Sequence, residues 1–206
     1  MKHAALALAL VSASATGALA RPVDGGSRIA LEAGWSYVPN ARFEQQAAAN
    51  GHPLAHSSPG APTVLGIFGY RPLEKLEVSI ELGYSHEQFA FANGQVAQVS
   101  RMPLLLTFRY TPWVGELWPY VGAGGGYILN FVSNTPVGAV ETHGAGPVVL
   151  AGLGYDVTDR LALLAEYRLS FARVGMPGIG SFNVGGNFLM IGVQYAFAPE
   201  ETSQRP

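Results

Sequence analysis

The sequence predicts an all-β protein, an eight-stranded antiparallel up-and-down transmembrane β-barrel, and three observations carry that prediction. Segment after segment, apolar and polar residues alternate with a period of two. Glycine and proline, 26 and 14 of 206 residues, recur too often for long helices, where each costs ~1 and ~3 kcal/mol. The apolar parity of the segments is free of charge, and only 13% of the chain is charged against a globular norm of ~25%. The same arithmetic excludes other classes. A net charge of −2 offers no field to hold a phosphate backbone, so nucleic acid is not an expected partner. With no cysteine there is no disulfide framework, thiolate zinc site or thiol nucleophile.

Lys2 and His3, the apolar run Ala4 to Val11 and the small-x-small triplet Ala18-Leu19-Ala20 read as a secretory leader over residues 1–20. The run is well short of the ~20 apolar residues a spanning helix needs. The barrel is expected over 21–198 and a short tail over 199–206. The first strand sets Ile29, Leu31, Ala33, Trp35 and Tyr37 against Glu32, Gly34 and Ser36. Val64 to Arg71 forms the second, with no register fixed by its pattern. The third sets Leu76, Val78, Ile80, Leu82 and Tyr84 against Glu77, Ser79, Glu81, Gly83 and Ser85. The fourth sets Met102, Leu104, Leu106, Phe108 and Tyr110 against Arg101, Leu105, Thr107 and Arg109. Val121 to Phe131 and Val149 to Val157 follow, with glycine thinning the polar face. Leu161 to Ala172 carries Glu166 and Arg168 on its polar parity, and Leu189 to Phe197 closes the set.

Turn residues fill short connections at Pro72 to Lys75, Thr111 to Leu117 and Thr158 to Arg160. Longer ones are expected at 39–61, 92–96, 133–146 and 175–185. Short and long connections then lie at opposite ends, and an even strand count puts both termini at the short-turn end.

Composition decides which parity meets what. A soluble barrel would show water many Lys and Glu, whereas the apolar parity here is aliphatic and aromatic throughout, so lipid is its neighbour. In hydrocarbon every backbone polar group must be paired, so strands cross only in a closed sheet. Segments of about ten residues match the 9–11 per crossing that a tilted strand requires. Aromatics cluster where strands end, as interfacial residues do: Trp35 and Tyr37, Tyr70, Tyr84, Tyr110 with Trp113, Trp118 with Tyr120, and Tyr195 with Phe197. The charge-free windows Leu117 to Val140 and Val174 to Pro199 imitate spanning helices, but both contain repeated Gly and internal Pro, and Gly124-Gly125-Gly126 with Pro119 and Pro136 is more than a helical span usually tolerates.

Glu32, Glu81, Arg101, Arg109, Glu166 and Arg168 fall on the polar parity as a barrel-interior charge network. In a lumen barely wide enough for side chains they are expected to pair and form a plug, because an unpaired buried charge is costly. A narrow gated passage for a small solute is the alternative. His52 and His56 have the i, i+4 spacing of a shared metal site, but Pro53, Pro59 and Gly60 argue against the helix that would align them. His143 is expected in a loop. No Lys-Ser or Lys-Thr follows Gly122-Ala123-Gly124-Gly125-Gly126, so these glycines are read as making room in a narrow barrel rather than as a phosphate loop. No catalytic, cofactor or metal site is expected.

Three stretches, Pro103-Leu104-Leu105-Leu106-Thr107-Phe108-Arg109-Tyr110, Pro119-Tyr120-Val121-Gly122-Ala123-Gly124-Gly125-Gly126-Tyr127 and Ala165-Glu166-Tyr167-Arg168, occur in an order that resembles the OmpA/OmpX/OmpW-like superfamily of small eight-stranded outer-membrane barrels of Gram-negative bacteria. The resemblance implies residence in the outer membrane, contact with its lipid and lipopolysaccharide, and a terminal strand, Leu189 to Phe197, read by the outer-membrane insertion machinery. It implies a structural or surface-interaction role, with 39–61 and 133–146 as the loops that meet an extracellular ligand or surface. A narrow channel for small or hydrophobic solutes is the alternative it offers. A lipid A-modifying enzyme is a more distant one, since Ser170 and Arg168 stand at the matching place without a His to act as general base. The chain is therefore not read as an enzyme.

Overall fold

The computed structural model describes residues 25–39, 41–56, 60–113, 115–135, 138–176 and 180–197; the leader expected over 1–20 and the tail over 199–206 lie outside them. The elements run β1 (Ser27–Tyr37), α1 (Ala41–Ala49), β2 (Ala61–Leu73), β3 (Leu76–Ala90), β4 (Val96–Tyr110), β5 (Leu117–Thr135), β6 (Gly138–Asp156), β7 (Leu161–Ser170), β8 (Arg173–Met176), β9 (Gly180–Asn183) and β10 (Gly186–Phe197). Eight of them close into an antiparallel barrel in the order β1-β10-β7-β6-β5-β4-β3-β2, while β8 and β9 form a separate two-stranded sheet. The register that the pattern of the second strand leaves open is set by its neighbours. Ile67 stands opposite Ala30 on β1 and Glu81 on β3.

The barrel is inside-out relative to a dissolved globule. Ile191 is 68% exposed and Leu104 53%, whereas Glu81 is 0% and Arg109 3%. Period two places these sets on opposite faces, and closure removes the unpaired edges that lipid would penalise. Exposed aromatics mark both ends of the aliphatic belt: Tyr70, Tyr110, Trp113, Tyr155 and Tyr195 at the short-turn end, and Trp35, Tyr37, Tyr84, Tyr127, Tyr167 and Phe171 at the other. No helix among the described residues is long and apolar enough to cross a membrane, so crossing belongs to the strands.

Two of the long connections differ from expectation. The stretch 133–146 is not a loop: β5 continues to Thr135, β6 resumes at Gly138, and His143 lies within β6. Beyond the lipid a sheet needs backbone pairing but no apolar face, so the fading of hydrophobic contrast there does not end the strands. Within 39–61, α1 occupies 41–49, because Ala-rich ARFEQQAAA favours helix and contains no proline. His52 and His56 follow the helix rather than riding on it.

The interior is mixed rather than uniformly hydrophilic. Leu65, Ile67, Leu105, Trp118, Tyr120, Leu150, Leu164 and Met190 all point inward and are buried. At the end opposite the short turns, α1 folds over the mouth and lowers Phe43 and Ala47 onto Phe89, Phe91, Val99, Val132, Val174 and Val184. The rings of Phe43 and Phe89 meet edge-on, with centroids 6.0 Å apart. Burying a side chain such as Phe43 contributes roughly 1.5–3 kcal/mol, enough to hold a nine-residue helix that would not be stable alone. Trp118 and Tyr120, expected among the interfacial aromatics, instead point into the lumen at the short-turn end, across the strand from Gly154 and Gly152, where an added Cβ would overlap their rings. Glycine therefore supplies the space these two aromatics occupy.

Candidate functional site

Two features of the barrel have functional geometry: a charge network filling the lumen and a sheet that rises past the belt. The network has as many arginines as glutamates. Near the short-turn end Arg28 forks onto Glu77, its Nε and Nη2 donating to the two carboxylate oxygens at 2.7 and 2.6 Å. Arg28 Nη1 also donates to Gln194 Oε1 at 2.8 Å, and Arg71 Nη2 lies 3.3 Å from Glu77 Oε2. One level deeper, Arg109 Nη1 donates to Ser79 Oγ at 2.8 Å, and Nη2 donates to Glu81 Oε1 at 2.7 Å and lies 3.4 Å from Glu166 Oε2. Thr107 Oγ adds a hydrogen bond to Glu81 Oε1 at 2.6 Å. Arg168 binds Glu81 and Glu166 and lies 3.6 Å from Glu32 Oε2. Every one of these charged side chains is buried. In so dry a place a charge without a partner would be several kcal/mol uphill, and the balance of signs avoids that penalty.

Of the residues singled out in the sequence, Glu32, Glu81, Arg109, Glu166 and Arg168 meet in this one cluster. Arg101 does not join them; it pairs with Glu87 nearer the helix-capped mouth. Arg28, Arg71 and Glu87 were missed by sequence reading, and Glu77, placed on the polar parity, was not counted in the network. Parity already gave Glu77 its inward direction, since it alternates with Val78 on the same strand as Glu81. Arg28 and Arg71 sit at segment ends where the pattern gives out. Above the cluster a small cavity of about 30 Å3 is lined mainly by Leu65, Leu105, Ile128, Val148 and Met190, and above that lies the Phe43 cap.

Ser170 is buried inside the lumen, away from lipid. His86 Nδ1 is 3.1 Å from Ser100 Oγ, and both project from the outer wall. Among the described residues no three His, Asp or Glu side chains converge as a metal-ligand set.

The second feature follows from unequal strand lengths. β2 pairs with β3 only as far as Ser85, and β7 pairs with β6 only from Val148. Beyond those points β3, β4, β5 and β6 rise together as a four-stranded wall. Its β3 edge is covered: Ala55 N–H donates to Ala90 O at 2.8 Å, Ala92 N–H donates to Pro53 O at 2.9 Å, and Leu54 bridges Phe91. Its β6 edge is not. Phe171 N–H donates to Pro147 O at 3.0 Å, which fixes the odd-numbered positions of β6 as those facing away from β5. Ala139, Glu141 and His143 therefore direct N–H and C=O groups outward, and no described backbone group pairs with them.

Comparison with known proteins agrees with this architecture. Residues 4–197 match the family model described as the outer membrane protein beta-barrel domain. Neisserial surface protein A superposes with a TM-score of 0.60 at 18% identity, covering 84% of this chain and 100% of its own. OprG from Pseudomonas aeruginosa gives 0.59 at 15%, covering 88% and 100%. Ail of Yersinia pestis, solved in complex with the heparin analogue sucrose octasulfate, gives 0.55 at 13%, covering 85% and 100%. At these identities the likeness is one of fold. No curated protein matches the sequence. A match running through all eight barrel strands, on a closed barrel with a lipid-facing apolar exterior, makes this chain a member of the outer membrane protein beta-barrel domain family.

Proposed function

We propose that this outer-membrane barrel is a surface-interaction protein, and that its contact element is the upper β6 edge of the protruding wall, around Ala139 and Glu141, rather than a loop. In barrels of this kind short turns face the periplasm and long connections face outward, which puts the wall in the medium. A cleaved leader over 1–20 would export the chain, and the aromatic-ended β10 would present it to the insertion machinery. The observation that carries the reading is the contrast between the two edges: one is covered by 53–55, and the other, above the level of β8, offers the outward backbone groups of Ala139 and Glu141. An unpaired edge is a template for an extended segment of another protein, with main-chain hydrogen bonds supplying affinity.

The test is adherence of cells displaying the chain to immobilised serum and matrix proteins, compared with cells displaying Glu141→Pro. Proline at an outward-facing position removes one edge donor without touching the β5 ladder. Loss of adherence at equal surface level supports the reading, and equal adherence of the two removes it.

A further inference from the structure

At the outer rim, α1, the end of β7 and the β8–β9 hairpin enclose a cleft of about 720 Å3 that also reaches Ala145 on β6. Its volume lies in the range of small-molecule sites, ~300–1,000 Å3. The charged groups lining it are Arg42 on α1 and Arg173 on β8, both exposed, and no carboxylate joins them among the described residues. Neither arginine takes part in an ion pair among the described residues. That contrasts with the lumen, where every arginine is neutralised. Gln46 adds a donor: its Oε1 accepts from Ser181 N–H at 2.7 Å, which leaves the amide NH2 for something else.

The walls are held in place before any ligand arrives. Phe43 and Ala47 anchor α1 in the apolar cap, the Gln46–Ser181 bond ties the helix to the hairpin, and Asn183 Oδ1 accepts from Gly185 N–H at 3.0 Å. Such fixed geometry lowers the ordering cost of binding. Pro39, Phe171 and Ala172 contribute apolar surface of the kind a sugar ring covers, and Phe171 belongs to the outer aromatic belt, so the cleft opens at headgroup level.

From these features we infer that the cleft binds a saccharide carrying at least two phosphate or sulfate groups, each gripped by one of the two guanidinium forks. This goes beyond the strand-edge reading and does not depend on it. The shared chemistry has two sources, a phosphorylated glycolipid of the outer leaflet or a free sulfated polymer in the medium.

The experiment uses the full chain refolded in zwitterionic micelles and titrated with two probes: a sulfated heparin octasaccharide, and bisphosphorylated lipid A doped into the micelles. Arg42→Ala/Arg173→Ala is compared with Arg160→Ala, which removes an exposed arginine at the short-turn end. Wild type and Arg160→Ala bind at least one probe, more weakly as salt rises, and the double variant binds at least about tenfold more weakly. Binding of the octasaccharide alone assigns a free polymer, and of lipid A alone the outer leaflet. If wild type binds neither probe at low salt, or the double variant binds as tightly as wild type, the inference is overturned. Unchanged heat-modifiable mobility shows that the double variant is folded, and unchanged binding by Glu141→Pro separates this site from the sheet edge.

Discussion

Arg168 on β7 and Glu81 on β3 are bonded side chain to side chain although their strands stand on opposite sides of the barrel, four positions apart in a ring of eight. A contact of that kind spans the lumen. Arg109 and Glu166 crowd the same level, and the Phe43 cap lies above it, so two independent obstructions separate the ends of the barrel.

The conductance of refolded protein in planar bilayers follows directly. Wild type, Arg109→Ala and Glu166→Ala are all expected to give flat traces, since each single change leaves the apolar cap in place. Steady openings from any of the three would restore the channel reading.

Arg101 and Glu87 form a pair apart from the main cluster and so allow a clean energetic test. Arg101→Met takes the arginine away from a buried carboxylate and should cost about 3–5 kcal/mol, whereas Arg101→Met/Glu87→Leu should recover most of that loss. Reversible urea unfolding in lipid vesicles, read by tryptophan fluorescence, measures both.

Gly154 stands directly opposite Trp118, and a side chain there would push into the indole. Gly154→Val should destabilise the barrel by about 1–3 kcal/mol and change the emission of Trp118. Gly94→Ala, in a turn with open space around it but with φ at 84°, should instead show a backbone effect with no change in emission.

Phe43 pins α1 to the mouth. Phe43→Ala should release the helix locally, seen as faster amide exchange and protease cutting over 41–49, while the barrel keeps its heat-modifiable mobility. Global loss of that mobility would show that the cap is integral to barrel stability.

Much of the barrel was legible in the sequence because lipid imposes a two-sided rule on every strand. Segments such as Leu76 to Tyr84 and Leu161 to Phe171 have one parity for hydrocarbon and the other for the lumen. The rule lapses above the membrane. Thr142, His143 and Gly144 continue β6 with no apolar face to announce it, so period-two reading stops early. The interior was only half readable for a related reason: inward positions accept Leu105, Leu164 and Met190 as readily as Glu81, and only the closed ring shows which of them touch. The cleft gave no signal, because Arg42 and Arg173 are 131 positions apart along the chain (173 minus 42) and meet only through the folding of α1 over the mouth.

The unequal height of the rim gives the molecule a front and a back. On one flank an approaching body meets a tall wall, on the other a low cationic hollow near the headgroups, and the hydrogen-bonding rim of β6 stands where the two adjoin. Contacts made in the plane of the cell surface would therefore depend on azimuth, so neighbours packed around a single copy would not be equivalent.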